Sequence, residues 1–150
     1  LPFEWRANSF SGEFYAWAGK WDMVDKMYEE AVENIGAQKD PPEDYKRLFQ
    51  MYFQIYFRNK MEDKAERALR DGLKFYPDNS ELFRTYISYL FERGRDDELK
   101  SALNDWIARH PDDEKMKEFY DQVNQGLLQM MRQKPQDKDT TAKSEADTST

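Results

Sequence analysis

The sequence predicts an all-α fold, a right-handed array of helical hairpins (an α-solenoid) with about seven helices and a disordered C-terminal tail. The main observation is an internal repeat, because segment 65–79 has a counterpart 34 positions later, in segment 99–113. Both copies keep apolar residues at matching offsets and both reach a proline, Pro77 and Pro111. A fixed period of this length is typical of stacked helical repeats, which bury their apolar faces only against neighbouring repeats.

The first helix of each of these two repeats has a clear apolar face. Its residues follow the i, i+3, i+4, i+7 spacing of a helix that is buried on one side. The members of this face are Phe49, Tyr52, Phe53 and Tyr56 in one copy and Phe83, Tyr86, Ile87 and Leu90 in the next. The second helix of each copy is apolar at equivalent positions and ends before the proline. Each copy is therefore predicted to be a helical hairpin.

An earlier and more divergent copy precedes them. Its characteristic small and aromatic residues are Gly12, Tyr15, Gly19, Trp21, Tyr28 and Ala31. This pattern resembles the tetratricopeptide repeat family, over roughly residues 5–113 and in three repeats. The first copy is seven residues longer than the 34-residue period, and this difference predicts an enlarged loop at 36–44. Half-a-tetratricopeptide arrays and other helical-pair arrays are the alternatives.

The C-terminal part is predicted to contain one more helix and then a tail. Residues from Asp112 to about Arg132 read as a seventh, solvating helix, so the repeat domain is expected to span 1–132. Residues 133–150 contain no bulky apolar side chain. Such a segment cannot offset the entropy that ordering costs, and we expect it to be disordered.

Gly72 lies inside a predicted helix, where glycine costs about 1 kcal/mol relative to alanine. We expect this glycine to allow close approach of the next repeat's first helix. Trp106 occupies the equivalent position 34 residues later.

The sequence gives no reason to expect an enzyme. It contains no phosphate-binding glycine loop, no Gly-x-Ser-x-Gly elbow and no zinc-protease or kinase motif. His110 is the only histidine, and there is no cysteine, so a zinc site is not expected. His110 stands at a helix end and Asp113 at the following helix start, where both have structural roles. No cofactor and no metal are predicted.

Charge and hydropathy exclude two classes of partner. The net charge is −7 and acidic residues alternate with basic ones, so the phosphate contacts that dominate nucleic-acid affinity are not expected. No apolar run approaches the roughly 18 residues that a membrane-spanning helix needs, and no basic amphipathic segment stands out. The remaining class of partner is a protein or peptide.

The resemblance implies a concave groove lined by fixed positions on the first helix of each repeat. Ten residues at those positions are candidates for binding a partner: Phe10, Trp17, Arg47, Met51, Gln54, Phe57, Arg58, Arg84, Ser88 and Phe91. Trp17, Phe57 and Phe91 would form an aromatic rail with arginines beside it. The alternative is that these aromatic residues belong to the core.

A carboxylate clamp of the kind found in chaperone-binding members of the family is not expected. Such clamps use lysine and asparagine at defined groove positions. Those positions hold Ser9, Glu13, Met51, Glu81 and Thr85 in this sequence.

Two functions remain open. The first is a non-catalytic protein–protein interaction module that binds a peptide or partner segment through its concave groove. The second is a regulatory or structural C-terminal domain of a larger enzyme, for example a membrane-bound transferase, that packs on its own parent. We expect the chain to be a monomer or part of a larger chain, because three repeats and a polar last helix make a capped array.

Overall fold

The computed structural model describes residues 3–126, and in this part of the chain α-helices alternate with short turns. The helices are α1 (Trp5–Trp17), α2 (Trp21–Gly36), α3 (Lys46–Arg58), α4 (Glu62–Phe75), α5 (Ser80–Glu92), α6 (Asp96–Arg109) and α7 (Glu114–Asn124). A single 3₁₀ turn, Glu43–Tyr45, precedes α3. No strand occurs within residues 3–126, which confirms the all-α prediction. The predicted disordered tail, 133–150, lies outside the described residues.

The chain divides into two compact units, Leu1–Ser88 and Tyr89–Thr150, with the boundary inside α5. The first unit contains α1 to α4 and most of α5. The second contains the end of α5 together with α6 and α7.

The three helical hairpins turn in the same way. The residue between the paired helices has a positive φ in each case: 71° at Gly19, 61° at Lys60 and 68° at Gly94. In each turn the N–H of the next residue donates to a carbonyl near the end of the first helix, as Lys20 does to Tyr15 at 2.8 Å. Because glycine adopts this conformation without strain, Gly19 and Gly94 fit their turns, whereas Lys60 is the costly exception.

Helix α1 packs on α3 through a polar contact. The side chain of Asn8 in α1 is buried, with 6% of its surface exposed. Its Nδ2 donates to the carbonyl of Met27 in α2 at 2.8 Å. Its Oδ1 accepts from the hydroxyl of Tyr52 in α3, also at 2.8 Å. The ring of Tyr52 also lies against Gly12, where an added Cβ would be 2.7 Å from Tyr52 Oη. Gly12 therefore allows α1 to pack closely on α3, the first helix of the next repeat.

The apolar face predicted for α3 is its buried face. Phe49, Tyr52, Phe53 and Tyr56 are all buried. Tyr52 and Tyr56 meet Tyr28 of α2, with ring centroids 5.2 and 6.2 Å from that of Tyr28. In α5, Phe83, Ile87 and Leu90 are buried and Tyr86 is half-buried. The 34-residue period thus gave the correct register for both helices.

Gly72 does permit close packing, but the nearest helix is not the one expected. A Cβ at Gly72 would lie 2.9 Å from Cβ of Phe49, in the first helix of the same repeat, and 3.2 Å from Cδ1 of Leu82 in the next repeat. The closest contact at Gly72 is therefore made within its own helical hairpin, with α3, and the contact with α5 of the next repeat is longer.

The enlarged loop before α3 is held by the end of α4. The hydroxyl of Tyr76 donates to the carbonyl of Pro42 at 2.7 Å. Burial raises the pKa of the Tyr76 hydroxyl to about 12, with nearby Glu43 adding to the effect. This hydroxyl therefore remains a donor at neutral pH.

In the second unit, α6 packs on α7 around Trp106, which is 2% exposed. Its Nε1 donates to Oδ2 of Asp113 at 2.9 Å, and the ring of His110 stacks on the indole at 3.9 Å between centroids. Asp113 also accepts from the N–H of Met116, so it is the predicted helix-capping residue. His110 lies at the end of α6, as expected.

Helix α7 ends earlier than the sequence suggested. It stops at Asn124, and Gly126 follows with φ 73°, a left-handed conformation that often terminates helices. The prediction of one helix to about Arg132 is therefore wrong at its end. Residues 127–132 lie outside the described part of the chain.

Candidate functional site

An open depression of about 430 Å³ lies along α3 in the first unit. Its walls come from α1, α3 and α5, the first helices of three repeats. The lining residues are Glu13, Arg47, Gln50, Met51, Phe53, Gln54, Ile55, Arg58, Glu81 and Thr85. All of them except Phe53 and Ile55 stand at positions that line the concave groove in the family that the sequence resembles. The depression is the candidate site.

Four of the ten candidate residues, Arg47, Met51, Gln54 and Arg58, line this depression. They recur every three or four residues along α3, so they share one side of the helix. The hydroxyl of Ser9 in α1 donates to Sδ of Met51 at 2.8 Å, which fixes the position of Met51 against the neighbouring helix.

The two arginines of the depression have no ion pair or hydrogen bond within residues 3–126. Both are exposed. By contrast, Arg67 pairs with Glu29 and Asp71, and Arg70 pairs with Glu66 at 2.8 Å. Arg47 and Arg58 are therefore cations whose hydrogen-bonding capacity is not used by the described part of the protein.

Carboxylates also face the depression. Glu13 and Glu81 line it on α1 and α5, and neither makes an ion pair with another described residue. The site has mixed charge, with cations on the central helix and anions on the two flanking helices. A ligand with a single sign of charge would meet repulsion on part of this surface.

The predicted aromatic residues are in different environments. Phe57 is half-buried and its ring stacks on that of Phe53 at 5.3 Å. Phe91 belongs to the second unit, where its ring meets that of Phe119 edge-on at 6.3 Å. Trp17 is exposed and does not line the depression. Whether these residues bind a partner stays a prediction.

The other candidates are also outside this lining. Phe10 is exposed on α1, and Arg84 and Ser88 are exposed on α5. Phe14 is not among the ten predicted site residues, although it is half exposed and its ring centroid lies 6.3 Å from that of Trp17. The i, i+4, i+7 spacing of Phe10, Phe14 and Trp17 was a signal that could have shown this.

A second polar cluster joins α2, α3 and α4. The hydroxyl of Tyr56 donates to Asp25 at 2.7 Å, and the ammonium of Lys64 contacts the same carboxylate at 2.6 Å. The hydroxyl of Tyr28 donates to Asp71. Burial, followed by these carboxylate contacts, raises the pKa of both tyrosines above the ordinary value. Their hydroxyls remain protonated donors, so the cluster connects helices and offers no nucleophile at neutral pH.

Within the described residues, no group of three or more metal-ligating side chains converges. No helix in residues 3–126 combines the length and apolar character that crossing a bilayer requires.

The family model described as tetratricopeptide repeat matches residues 12–132, which is most of the chain. Neither the curated proteins nor the solved structures include a match to this chain. The three turns with positive φ, the contact glycines and the all-helical hairpins agree with the family match. Repeats of this kind are helical modules of protein–protein interaction. The chain belongs to the tetratricopeptide repeat family.

Proposed function

We propose that this protein is a non-catalytic interaction module that binds a segment of a partner protein in the depression along α3. The observation that supports this most directly is the pair of arginines, Arg47 and Arg58, that line the depression without any partner in the described chain. Among the other exposed arginines of the first unit, Arg6, Arg67 and Arg70 form ion pairs, whereas Arg84 on α5 has none within residues 3–126.

The spacing of the two arginines defines the segment that fits. They are eleven residues apart on one side of α3, or about 16 Å along the helix axis. An extended chain covers that distance in about five residues. Guanidinium groups bind carboxylates through two parallel hydrogen bonds, so acidic side chains near the two ends of such a segment would satisfy both arginines.

The residues between the arginines suit the middle of the segment. Gln50 and Gln54 carry amides that can both donate to and accept from a peptide backbone, and Met51 between them provides an apolar contact. Glu13 and Glu81 at the sides disfavour a segment that is acidic throughout. We therefore expect a segment that combines apolar residues with a small number of acidic ones.

The test is selection from a random peptide library displayed on phage, with the full 150-residue chain as bait. Enriched peptides should contain aspartate or glutamate together with apolar residues. Their affinity, measured by fluorescence anisotropy, should fall by at least about tenfold for Arg47→Glu or Arg58→Glu and should weaken as salt rises.

The matched control is Lys26→Glu, which makes the same charge change at an exposed position on α2. It should leave the affinity within about twofold of the wild type. Peptides that bind both arginine variants as tightly as the wild type would place the binding surface elsewhere and would refute the proposal.

A further inference from the structure

Two carboxylates line the depression along α3 on opposite walls. Glu13 belongs to α1 and Glu81 to α5, and both side chains are exposed. Neither side chain forms an ion pair or a hydrogen bond with another residue of the described range, 3–126. They share this space with the guanidinium groups of Arg47 and Arg58, which are also unpaired within that range.

A contact between α1 and α3 shows where Glu13 stands along the depression. The hydroxyl of Ser9 donates to Sδ of Met51, which is 42 positions later. Because both helices are first helices of their repeats and run in the same direction, the same offset places Glu13 level with Ile55. Ile55 also lines the depression and precedes Arg58 by about 4–5 Å along the helix axis. Glu13 therefore lies in the half of the depression that holds Arg58.

The register of α5 against α3 places Glu81 at the other end. Phe49 of α3 and Leu82 of α5 both approach Gly72, to 2.9 and 3.2 Å from the position of a Cβ there. The 34-residue period pairs Phe49 with the residue after Leu82, so the two helices keep the register of the repeat to within one residue. The same period pairs Arg47 with Glu81. Glu81 therefore lies in the half of the depression that holds Arg47.

Each end of the depression thus has one cation and one anion. Arg47 is level with Glu81 at one end, and Arg58 is close to the level of Glu13 at the other. Neither of these two combinations forms an ion pair in the described part of the chain. Charged groups that stay apart and exposed can each bind a group of the opposite sign. A segment with both signs of charge at each end complements all four residues.

We propose, on the basis that the depression binds a partner segment, that this segment carries one acidic and one basic residue at each end. The arginines bind the acidic residues, and Glu13 and Glu81 determine specificity by binding the basic ones. The two glutamates are level with residues 55 and 47 of α3, about 12 Å apart along the helix axis. An extended chain covers this distance in about four residues, which is the expected separation of the two basic residues.

The charge of the whole chain supports a balanced segment. The net charge is −7, so a segment with net negative charge is repelled at long range even when its acidic residues fit the two arginines. One basic residue for each acidic one removes this repulsion. It also offsets the short-range repulsion between the acidic residues and the glutamates of the walls. Apolar residues between the two ends still contact Met51, which lies in the middle of the depression.

A comparison of two selections tests this specificity. The same random peptide library is screened against the full 150-residue wild type and against Glu13→Lys/Glu81→Lys, in which both changed side chains are exposed. Wild-type binders should contain lysine or arginine near an acidic residue at both ends. Binders of the double variant should lose these basic residues and contain acidic residues in their place. The variant should keep the circular dichroism spectrum of the wild type.

Single substitutions assign each basic residue of a selected peptide to one glutamate. Replacing one peptide lysine with glutamine should weaken binding to the wild type at least about fivefold, measured by fluorescence anisotropy. The same replacement should cost less than about twofold against Glu13→Gln or Glu81→Gln, whichever removes the partner of that lysine. Glu33→Gln makes the same change at an exposed position on α2 and is the matched control. It should leave the effect of the lysine replacement as in the wild type.

The outcomes separate this specificity from the binding function itself. Suppose that Arg47→Glu weakens binding, but that replacing the peptide lysines costs the same against the wild type and both glutamine variants. The segment then binds in the depression without using the glutamates, and the proposal is overturned. Wild-type binders without basic residues overturn it as well. A library that yields no binder, or binders that are indifferent to Arg47→Glu and Arg58→Glu, refutes the binding function and with it the role of Glu13 and Glu81.

Discussion

The hydroxyl group of Tyr52 donates a 2.8 Å hydrogen bond to Oδ1 of Asn8, across the contact between α3 and α1. Both side chains are buried, and the tyrosine ring also fills the space that Gly12 leaves open. A buried polar group without its hydrogen bond is costly, so the two residues depend on each other. This contact joins the first repeat to the second.

Removing that hydroxyl should destabilise the protein. Tyr52→Phe leaves Oδ1 of Asn8 without its donor, and we expect a loss of about 1–3 kcal/mol in the free energy of unfolding. Urea denaturation followed by circular dichroism measures it. Tyr15→Phe is the matched control, because Tyr15 is half-buried and its hydroxyl has no hydrogen bond among the described residues. Equal effects of the two variants would show that the bond to Asn8 contributes nothing specific.

Gly72 should resist any larger residue. In Gly72→Ala the new Cβ would lie 2.9 Å from Cβ of Phe49 and 3.2 Å from Leu82, so α4 must move away from two packed neighbours. We expect a loss of about 1–3 kcal/mol, which exceeds the gain in helix propensity. Thermal or urea unfolding gives the value.

Gly36→Ala provides the comparison for Gly72. Its Cβ would meet the Phe75 ring at 3.5 Å, an ordinary contact, and the backbone there is helical. This variant should be neutral or more stable by up to about 1 kcal/mol. A stabilising effect of Gly72→Ala would mean that the contact with Phe49 is not as tight as the structure has it.

The repeat period predicted much of this fold because burial in a helical hairpin follows local spacing. The face formed by Phe49, Tyr52 and Phe53 was correctly assigned from the sequence alone. The partner of Tyr52 was not, since Asn8 lies 44 residues away and a polar side chain gives no signal in an apolar pattern. Long-range polar contacts of this kind are set by tertiary packing.

The site was only partly predictable for a related reason. Family positions include Arg47 and Arg58, and both line one depression because they lie on one side of a single helix; that they bind a partner stays a prediction. The same family positions also include Phe10 and Trp17, which are exposed on α1 and do not line the depression. Exposure depends on which neighbouring helix covers a side chain, and helical spacing alone does not contain that information.

Lys60→Gly should stabilise the protein. Lys60 has φ 61°, a conformation that costs a residue with a Cβ about 1–2 kcal/mol. Glycine removes this strain but loses more entropy on folding, so we expect a net gain of about 0.5–1 kcal/mol. Gly94→Lys makes the reverse change at the equivalent turn of the third hairpin, where φ is 68°. It should destabilise, and the same sign for both variants would contradict this interpretation.

Stability should fall at high pH. Burial raises the pKa of Tyr28, Tyr52 and Tyr56 above 10, the value for an exposed tyrosine. The folded state therefore holds these protons more tightly than the unfolded state. Their contribution is fully present below pH 10 and is lost as pH rises beyond it, because the unfolded chain then releases protons that the folded chain retains.

Urea midpoints measured between pH 8 and pH 11.5, roughly the range in which unfolded tyrosine ionises, give the size of this effect. Tyr56→Phe, which removes one of the three hydroxyls, should lower stability at pH 8 and reduce the decline at higher pH. A midpoint that is constant up to pH 11 would show that the three hydroxyls are not protected as the structure indicates.

Substitution of Phe57 can show whether this residue binds the partner or belongs to the core. Its ring is half-buried and stacks at 5.3 Å on Phe53, which lines the depression. We expect Phe57→Ala to lower stability by about 1–3 kcal/mol, less than a fully buried phenylalanine would lose. If Phe57 is also an anchor for the partner segment, the selected peptides should lose about 2 kcal/mol of binding free energy.

The two effects of Phe57→Ala can be separated. Binding is measured by titration at a temperature where circular dichroism shows both proteins to be folded, so a loss of affinity then reports contact with the peptide. Phe57→Leu, which keeps most of the apolar volume, should recover stability more fully than affinity because it cannot replace an aromatic contact. Loss of stability with unchanged affinity would assign Phe57 to the core. The partner segment would then be held by the arginines and Met51 alone, or would bind outside the depression, on the second helices of the repeats or on the loop at 36–44.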